Sequence, residues 1–147
     1  MIQVTNRQRK IRLDTSFLKR VGQRTLVQAG CDEAECGLVL VGDRTMARLN
    51  RYYRGKTGPT DVLSFPMREG SFASLSPDLL GDVVISTETA ERQARASGRS
   101  LRDELVALLI HGILHLLGYD HQTPSEARRM KRLERRYGLP FIEAEGR

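Results

Sequence analysis

The stretch from His111 to His121 constrains this chain more than any other. It contains all three histidines of the 147 residues, in the order His-Gly-Ile-Leu-His-Leu-Leu-Gly-Tyr-Asp-His. His111 and His115 are four residues apart, so on a helix both project from one face, about 6 Å apart along the axis. Gly118 favours a left-handed turn that ends the helix and returns His121 toward the same point. Three imidazoles with an open fourth position are typical of a catalytic zinc site, because structural zinc sites use four protein ligands.

The helix that carries the first two histidines is predicted to be buried. Ser100-Leu-Arg-Asp103 has the pattern of a capping box, and from Leu105 onward the sequence is apolar nearly all round. Histidines on such a helix are polar groups in an apolar place and need partners. A pair of satisfied core histidines is the alternative interpretation, but the spacing of all three favours a bound metal ion.

The remainder of the chain alternates short apolar runs with amphipathic segments, which predicts an α+β fold. Strands are expected near residues 2–5, 38–41, 60–65 and 82–85, and helices over 14–29, from 43, over 86–97, from 100 and from 123. Asp43 is predicted to cap the second helix, with Met46, Leu49 and Tyr53 on one face. Residues 67–78 are predicted to form a mobile loop or a wide connection. No repeat or linker divides the chain, so residues 1–147 are expected to form a single domain.

The charge balance favours a polyanionic partner. The chain has 24 Lys and Arg against 18 Asp and Glu, a formal charge of +6, with basic clusters at residues 7–24 and 128–136. Nucleic acid is the leading candidate, although solvated helix faces explain any single basic residue equally well. Because the chain has no Trp and 5% aromatic residues, binding is expected to depend on phosphates more than on base stacking.

The same sequence argues against export and membrane insertion. The first ten residues lack an apolar core of signal-peptide length, and the longest apolar run, 105–110, has six residues. We therefore expect a cytoplasmic protein that does not contact membranes. Cys31 and Cys36 are spaced too widely for a C-x-x-C site and are interpreted as reduced thiols, with a redox switch or metal ligation as the alternative.

The histidine spacing H-x-x-x-H-x-x-G-x-x-H also occurs in metzincin proteases. Those enzymes have Glu directly after the first histidine, as the general base for peptide hydrolysis. Here that position is Gly112. An all-histidine ligand set also leaves the full +2 charge of zinc at the site, which suits an anionic substrate better than an amide. Cleavage of a phosphodiester fits both facts.

Several motifs together resemble the bacterial YbeY family of endoribonucleases and ribosomal RNA maturation factors. They are the histidine motif, Arg54-Gly-Lys, the block Pro59-Thr-Asp-Val-Leu-Ser-Phe-Pro66, the block Leu80-Gly-Asp-Val-Val-Ile85, and Asn50. The resemblance covers about residues 46–135. It implies a zincin-like α+β fold with a four-stranded mixed sheet and about five helices. It also implies hydrolysis of single-stranded RNA in 3′-end maturation of small-subunit (16S) ribosomal RNA and in ribosome quality control.

The resemblance also assigns the site. One Zn²⁺ per chain is expected on His111, His115 and His121, with no organic cofactor, and Arg54 matches the arginine that is functionally important in the family. These four residues are the expected catalytic set. Single-stranded RNA, ribosomal RNA and the small ribosomal subunit are the expected partners.

Two other functions remain open on the sequence. One is a metalloprotease or another metal-dependent hydrolase, and the other is a non-catalytic, ribosome-associated RNA-binding protein with structural zinc. The ligands do not separate zinc from nickel or another metal that binds imidazole. Asp120 is expected either to orient a ligand histidine or to cap the helix end. Asp61, Ser64 and Asp82 are expected to be structural.

Overall fold

The computed structural model describes residues 1–67 and 78–142. In chain order the elements are β1 (Ile2–Asn6), α1 (Thr15–Gln28), β2 (Glu35–Val41), α2 (Asp43–Arg54), β3 (Val62–Pro66), β4 (Leu79–Ser86), α3 (Thr87–Ala96), α4 (Leu101–Leu116) and α5 (Pro124–Gly138). The predicted α+β class, with four strands and five helices, is confirmed. The connection predicted at residues 67–78 lies almost wholly outside the described residues.

The four strands form one mixed sheet in the order β1-β2-β4-β3. Strands β1, β2 and β4 are parallel, and β3 runs antiparallel to β4 with Ser64 opposite Val83. Strand β3 therefore forms one edge of the sheet. Strand β3 lies within the block at residues 59–66, which is one of the motifs that resemble the YbeY family.

Both faces of the sheet are covered by helices. In β2, Leu38 and Leu40 point into the larger core with residues of α1 and α4, whereas Val41 lies in a second cluster with Met46 of α2. Side chains alternate between faces along a strand, so the two clusters lie on opposite sides of the sheet. Helix α4 consequently packs on one face and α2 on the other.

Helix α4 is buried along most of its length, as its apolar sequence predicts. Eleven of its 16 residues are buried, and it contacts both β3 and β4. Gly112 makes this approach possible, because a Cβ at that position would lie 2.5 Å from Cγ1 of Val83. The missing side chain therefore lets α4 lie directly against β4.

Most helix boundaries follow the capping residues in the sequence. The side chains of Asp14, Ser86, Ser100 and Thr123 each accept a hydrogen bond from a backbone N–H in the first turn of the helix that follows. Thr123 and Glu126 form the predicted reciprocal capping box. These four helix starts are confirmed.

One prediction for α2 is wrong. Its N-cap is Gly42, and Asp43 is its first residue. The Asp43 carboxylate instead accepts hydrogen bonds from Ser86 and Arg92, which join α2 to α3. Met46 and Leu49 lie in one cluster, and Tyr53 packs against Phe65 of that cluster while remaining 60% exposed, so the three residues of α2 share one helix face as predicted.

Two further expectations concern the membrane and the cysteines. None of the helices in the described ranges is long and apolar enough to cross a membrane. Cys31 and Cys36 are both free thiols. Burial and, to a smaller extent, the nearby Asp82 carboxylate raise the pKa of the Cys36 thiol to about 12. Cys36 is therefore protonated and unreactive at neutral pH.

Candidate active site

Three histidine rings converge where α4 ends. His111 and His115 lie one turn apart on the helix, and the chain reverses at Gly118, whose φ is +101°. This turn brings His121 back to the helix. The ring centroids are 4.7 Å apart for His111 and His115, 5.1 Å for His115 and His121, and 5.8 Å for His111 and His121. One ring nitrogen from each lies within 4.8 Å of the others, so the group can hold a metal ion.

The donor set fits one transition-metal ion. Zinc lies about 2.0–2.1 Å from imidazole nitrogen, so a tetrahedral site places its nitrogens about 3.3 Å apart. The three rings need to move by only about an ångström to reach that spacing. His121 is exposed, which leaves its side chain room to rotate. Three neutral nitrogen donors suit zinc and other metals that prefer imidazole.

The surroundings of His115 favour its neutral form. Burial lowers the pKa of His115, and the neighbouring His111 and His121 lower it further, while Asp120 and Glu134 act in the opposite direction. Imidazole must be neutral to bind a metal. His115 is therefore held in the form that a ligand needs.

Glu134 of α5 forms a hydrogen bond with one ring of the histidine group. Its Oε2 accepts a hydrogen bond from Nδ1 of His111. That contact occupies Nδ1 and leaves Nε2 as the nitrogen that can face an ion, an arrangement that orients metal-binding histidines in many proteins. Glu134 is not among the site residues predicted from the sequence. A signal was present, since it is the only acidic residue within the basic cluster 128–136.

A cleft of about 580 Å³ opens in front of the three rings. One side is lined by residues 60–64 and Pro66, from the approach to β3 and the strand itself, and the other by the turn at 118–122. Arg54, the last residue of α2, also lines this cleft. Its side chain is exposed and makes no ion pair with any residue of the described ranges. The structure thus brings Arg54 to the same cleft as the histidines.

The other polar residues singled out in the sequence stabilise the walls of the cleft. Asp120 accepts a hydrogen bond from the backbone N–H of His121 at 2.7 Å, so it fixes the turn rather than a ring. Ser64 donates to the carbonyl oxygen of Gly112 at 3.0 Å and joins β3 to α4. Asp61 accepts from the backbone N–H of Val62 at 2.7 Å. These hydrogen bonds agree with the structural roles expected of Ser64 and Asp61.

Comparison with known proteins identifies the family. The family model described as Endoribonuclease YbeY matches residues 3–140. The chain belongs to the YbeY family. A relative from Geobacter metallireducens, named Endoribonuclease YbeY, is 44% identical over 147 residues, covering 99% of this chain and 97% of its own length. A YbeY relative with the same name from Pelotomaculum thermopropionicum is 48% identical over 137 residues, covering 89% of this chain and 90% of its own.

A solved structure supports the fold of this YbeY-family chain. The solution structure of a Thermotoga maritima protein superposes with a TM-score of 0.65 and covers 100% of this chain and 99% of its own. The two sequences are 24% identical, so the likeness concerns the fold alone.

The packing at Gly112 explains why the metzincin base is missing in this member of the YbeY family. A Glu at position 112 would place its Cβ against the side chain of Val83, 2.5 Å from Cγ1. The neighbouring sheet therefore excludes a side chain at the position from which metzincins activate water. Position 112 therefore cannot supply the base that metzincins use for peptide hydrolysis.

Proposed function

We propose that this protein is a single-strand-specific, zinc-dependent endoribonuclease. It would act on ribosomal RNA in 3′-end maturation of the 16S molecule and in ribosome quality control, with the small ribosomal subunit as its partner. The convergence of three histidines and Arg54 on one cleft carries the proposal. The ribosomal role rests on the family resemblance, and a cytoplasmic location follows from that substrate. We propose that residues 1–147 act as one domain.

Within this proposal, His111, His115 and His121 hold the zinc ion. When bound, zinc supplies a Lewis acid that stabilises negative charge on a phosphoryl oxygen. Glu134 holds the ring of His111 so that its Nε2 faces the ion. The three imidazoles add no negative charge, so the site attracts the phosphate of a nucleic acid.

Arg54 is assigned to the phosphate. A guanidinium group presents two parallel N–H donors that match two phosphate oxygens. Arg54 is suited to this role because it lines the cleft without an ion pair to residues 1–67 or 78–142. It would orient the scissile group and stabilise the charge that develops in the transition state.

The test compares wild type, His115→Ala, Arg54→Ala and Arg54→Lys. Each protein is assayed for bound metal, for unfolding temperature, and for cleavage of one RNA sequence as a single strand and as a duplex. We expect one zinc per wild-type chain and cleavage of the single strand alone. His115→Ala should lose metal and activity. Arg54→Ala should keep metal and lose about 10²- to 10³-fold in rate, and Arg54→Lys should recover only part of the loss.

Each alternative has its own outcome in this test. A zinc-loaded wild type that cleaves no RNA would favour a non-catalytic RNA-binding protein, and chelator-sensitive cleavage of casein would favour a metalloprotease. Equal activity of Arg54→Ala and wild type would remove the role of Arg54. A precursor of 16S RNA with its 3′ extension then tests the ribosomal assignment, which predicts cleavage near the mature end.

A further inference from the structure

Three aromatic side chains from α2 and β3 form a row next in the chain to residues that line the cleft. The rings of Tyr52 and Tyr53, at the end of α2, are 4.8 Å apart and meet edge to face at 73°. The ring of Tyr53 lies 5.0 Å from that of Phe65 on β3, at 68°. We call Tyr52, Tyr53 and Phe65 the aromatic row.

The aromatic row packs against the protein at Phe65 and is exposed to solvent at Tyr52. Phe65 is partly buried and packs against the cluster of Val41, Met46, Leu63 and Val84 on the sheet. Tyr53 rests on Phe65 and is 60% exposed, and Tyr52 is 81% exposed. Large aromatic side chains on a protein surface commonly mark a binding site. The anchoring also means that little side-chain freedom remains to be lost when a ligand binds Tyr53.

The row lies on the α2 face of the sheet, and residues adjacent to it in the chain line the cleft beside the edge strand β3. Arg54 follows Tyr53 in the chain, Pro66 follows Phe65, and both Arg54 and Pro66 line the cleft. The surroundings are also basic. Arg51 and Lys56 are exposed, and neither forms an ion pair with another residue in the described part of the chain.

Exposed aromatic rings among unpaired cations match single-stranded nucleic acid. The cations bind phosphates, and unpaired bases stack on the rings. A duplex gains no such contact, because its bases are already stacked on one another. A lipid surface would be expected to contact a broader apolar patch than two tyrosines that carry polar hydroxyl groups.

We propose that Tyr52 and Tyr53 form a stacking platform for the bases of single-stranded RNA that flank the phosphate held in the cleft. This inference rests on the proposed function and adds a reason for its strand preference. It also revises the expectation that binding depends on phosphates more than on base stacking. The sequence shows few aromatic residues, but the structure exposes two of them just before Arg54, which lines the cleft.

The experiment measures RNA binding apart from cleavage. Metal-free protein, prepared with a chelator, is titrated into three fluorescein-labelled probes: a single-stranded oligoribonucleotide, the same sequence as a duplex, and a backbone-matched abasic strand. The variants are Tyr52→Ala, Tyr53→Ala and the Phe substitution at each position. Leu139→Ala is the matched control, because Leu139 is also a large exposed side chain, at 71%.

We expect each Tyr→Ala change to weaken binding of the single strand by about 5- to 100-fold. Binding of the duplex and of the abasic strand should change by less than about twofold, since stacking contributes nothing there. Tyr→Phe and Leu139→Ala should bind as wild type does. The chain has no Trp and four Tyr, so the part of the tyrosine quenching by the single strand that is lost in Tyr52→Ala and Tyr53→Ala, and is absent with the abasic strand, reports the stacking.

Three results would overturn the platform. One is unchanged affinity of Tyr52→Ala and Tyr53→Ala for the single strand. Another is an equal loss for all three probes, which would indicate a general electrostatic or folding effect. The third is a change from dimer to monomer without a change in RNA affinity, which would make the row a contact between copies. Cleavage by zinc-loaded wild type is measured separately, so failure of the platform and failure of the nuclease assignment are distinguishable.

Discussion

Glu134 is expected to set the metal affinity of the histidine group. Replacing it with Ala removes the acceptor for Nδ1 of His111 and frees the ring to rotate and change tautomer. Loss of such a partner costs about 10- to 100-fold in metal affinity, or about 1.4–2.7 kcal/mol. The side chains of His111 and Glu134 are 29% and 26% exposed, so water replaces part of the contact. We therefore expect the lower part of that range, about 10- to 30-fold.

The assay is competition for Zn²⁺ between the protein and a chromophoric chelator at neutral pH. Glu134→Gln keeps a carbonyl acceptor without the charge and should lose less affinity than Glu134→Ala. Glu91→Ala is the matched control: it changes the net charge equally, but its carboxylate pairs with Arg95 on α3 instead of a histidine. Nitrogen NMR of the His111 ring should show Nδ1 protonated in the metal-free wild type and a mixture of tautomers in Glu134→Ala.

A Glu134→Ala protein that binds zinc as tightly as wild type, and unfolds at the same temperature without metal, would refute this role of Glu134. If Glu134→Ala lowers the stability of the metal-free protein but leaves its zinc affinity unchanged, Glu134 only stabilises the packing of α5 against α4. Equal losses in Glu134→Ala and Glu91→Ala would attribute the effect to net charge.

Two further predictions concern stability. Gly112→Ala places a Cβ 2.5 Å from Cγ1 of Val83 and should lower the free energy of unfolding by about 1–3 kcal/mol. The same change made in a Val83→Ala background should cost much less, and an equal cost in both backgrounds in urea titrations would contradict the packing argument. Burial opposes ionisation of Asp43, but hydrogen bonds from Arg92, Thr89 and Ser86 outweigh it and lower its pKa from 3.8 to about 2. The Asp43 carboxylate therefore stabilises the fold fully above about pH 4, and this contribution is lost as the pH falls toward 2. The difference in free energy of unfolding between wild type and Asp43→Asn should shrink over that interval. A difference that stays constant would contradict the prediction.

The sequence by itself determined the features that depend on neighbouring residues. The caps at Asp14, Ser86, Ser100 and Thr123 are local hydrogen bonds within the first turn of each helix, so consecutive residues specify them. The all-round apolar pattern of α4 indicated its burial for the same reason. His111 and His115 share a helix face because of their spacing, and a glycine three residues after His115 was sufficient to predict the turn that returns His121.

Contacts between distant segments were decided only by the tertiary structure. Glu134 lies 23 residues from His111 in the chain, and their contact depends on how α5 packs against α4, which no local pattern encodes. Tyr53 shares a helix face with Met46, as their spacing predicts, but only the assembled sheet determines that Met46 is buried and Tyr53 is 60% exposed. Gly112 was recognised as a missing base, whereas its packing role became visible only against Val83. Helical periodicity defines faces of a helix, and only the assembled sheet and helices decide which face is covered and which side chains from separate elements meet.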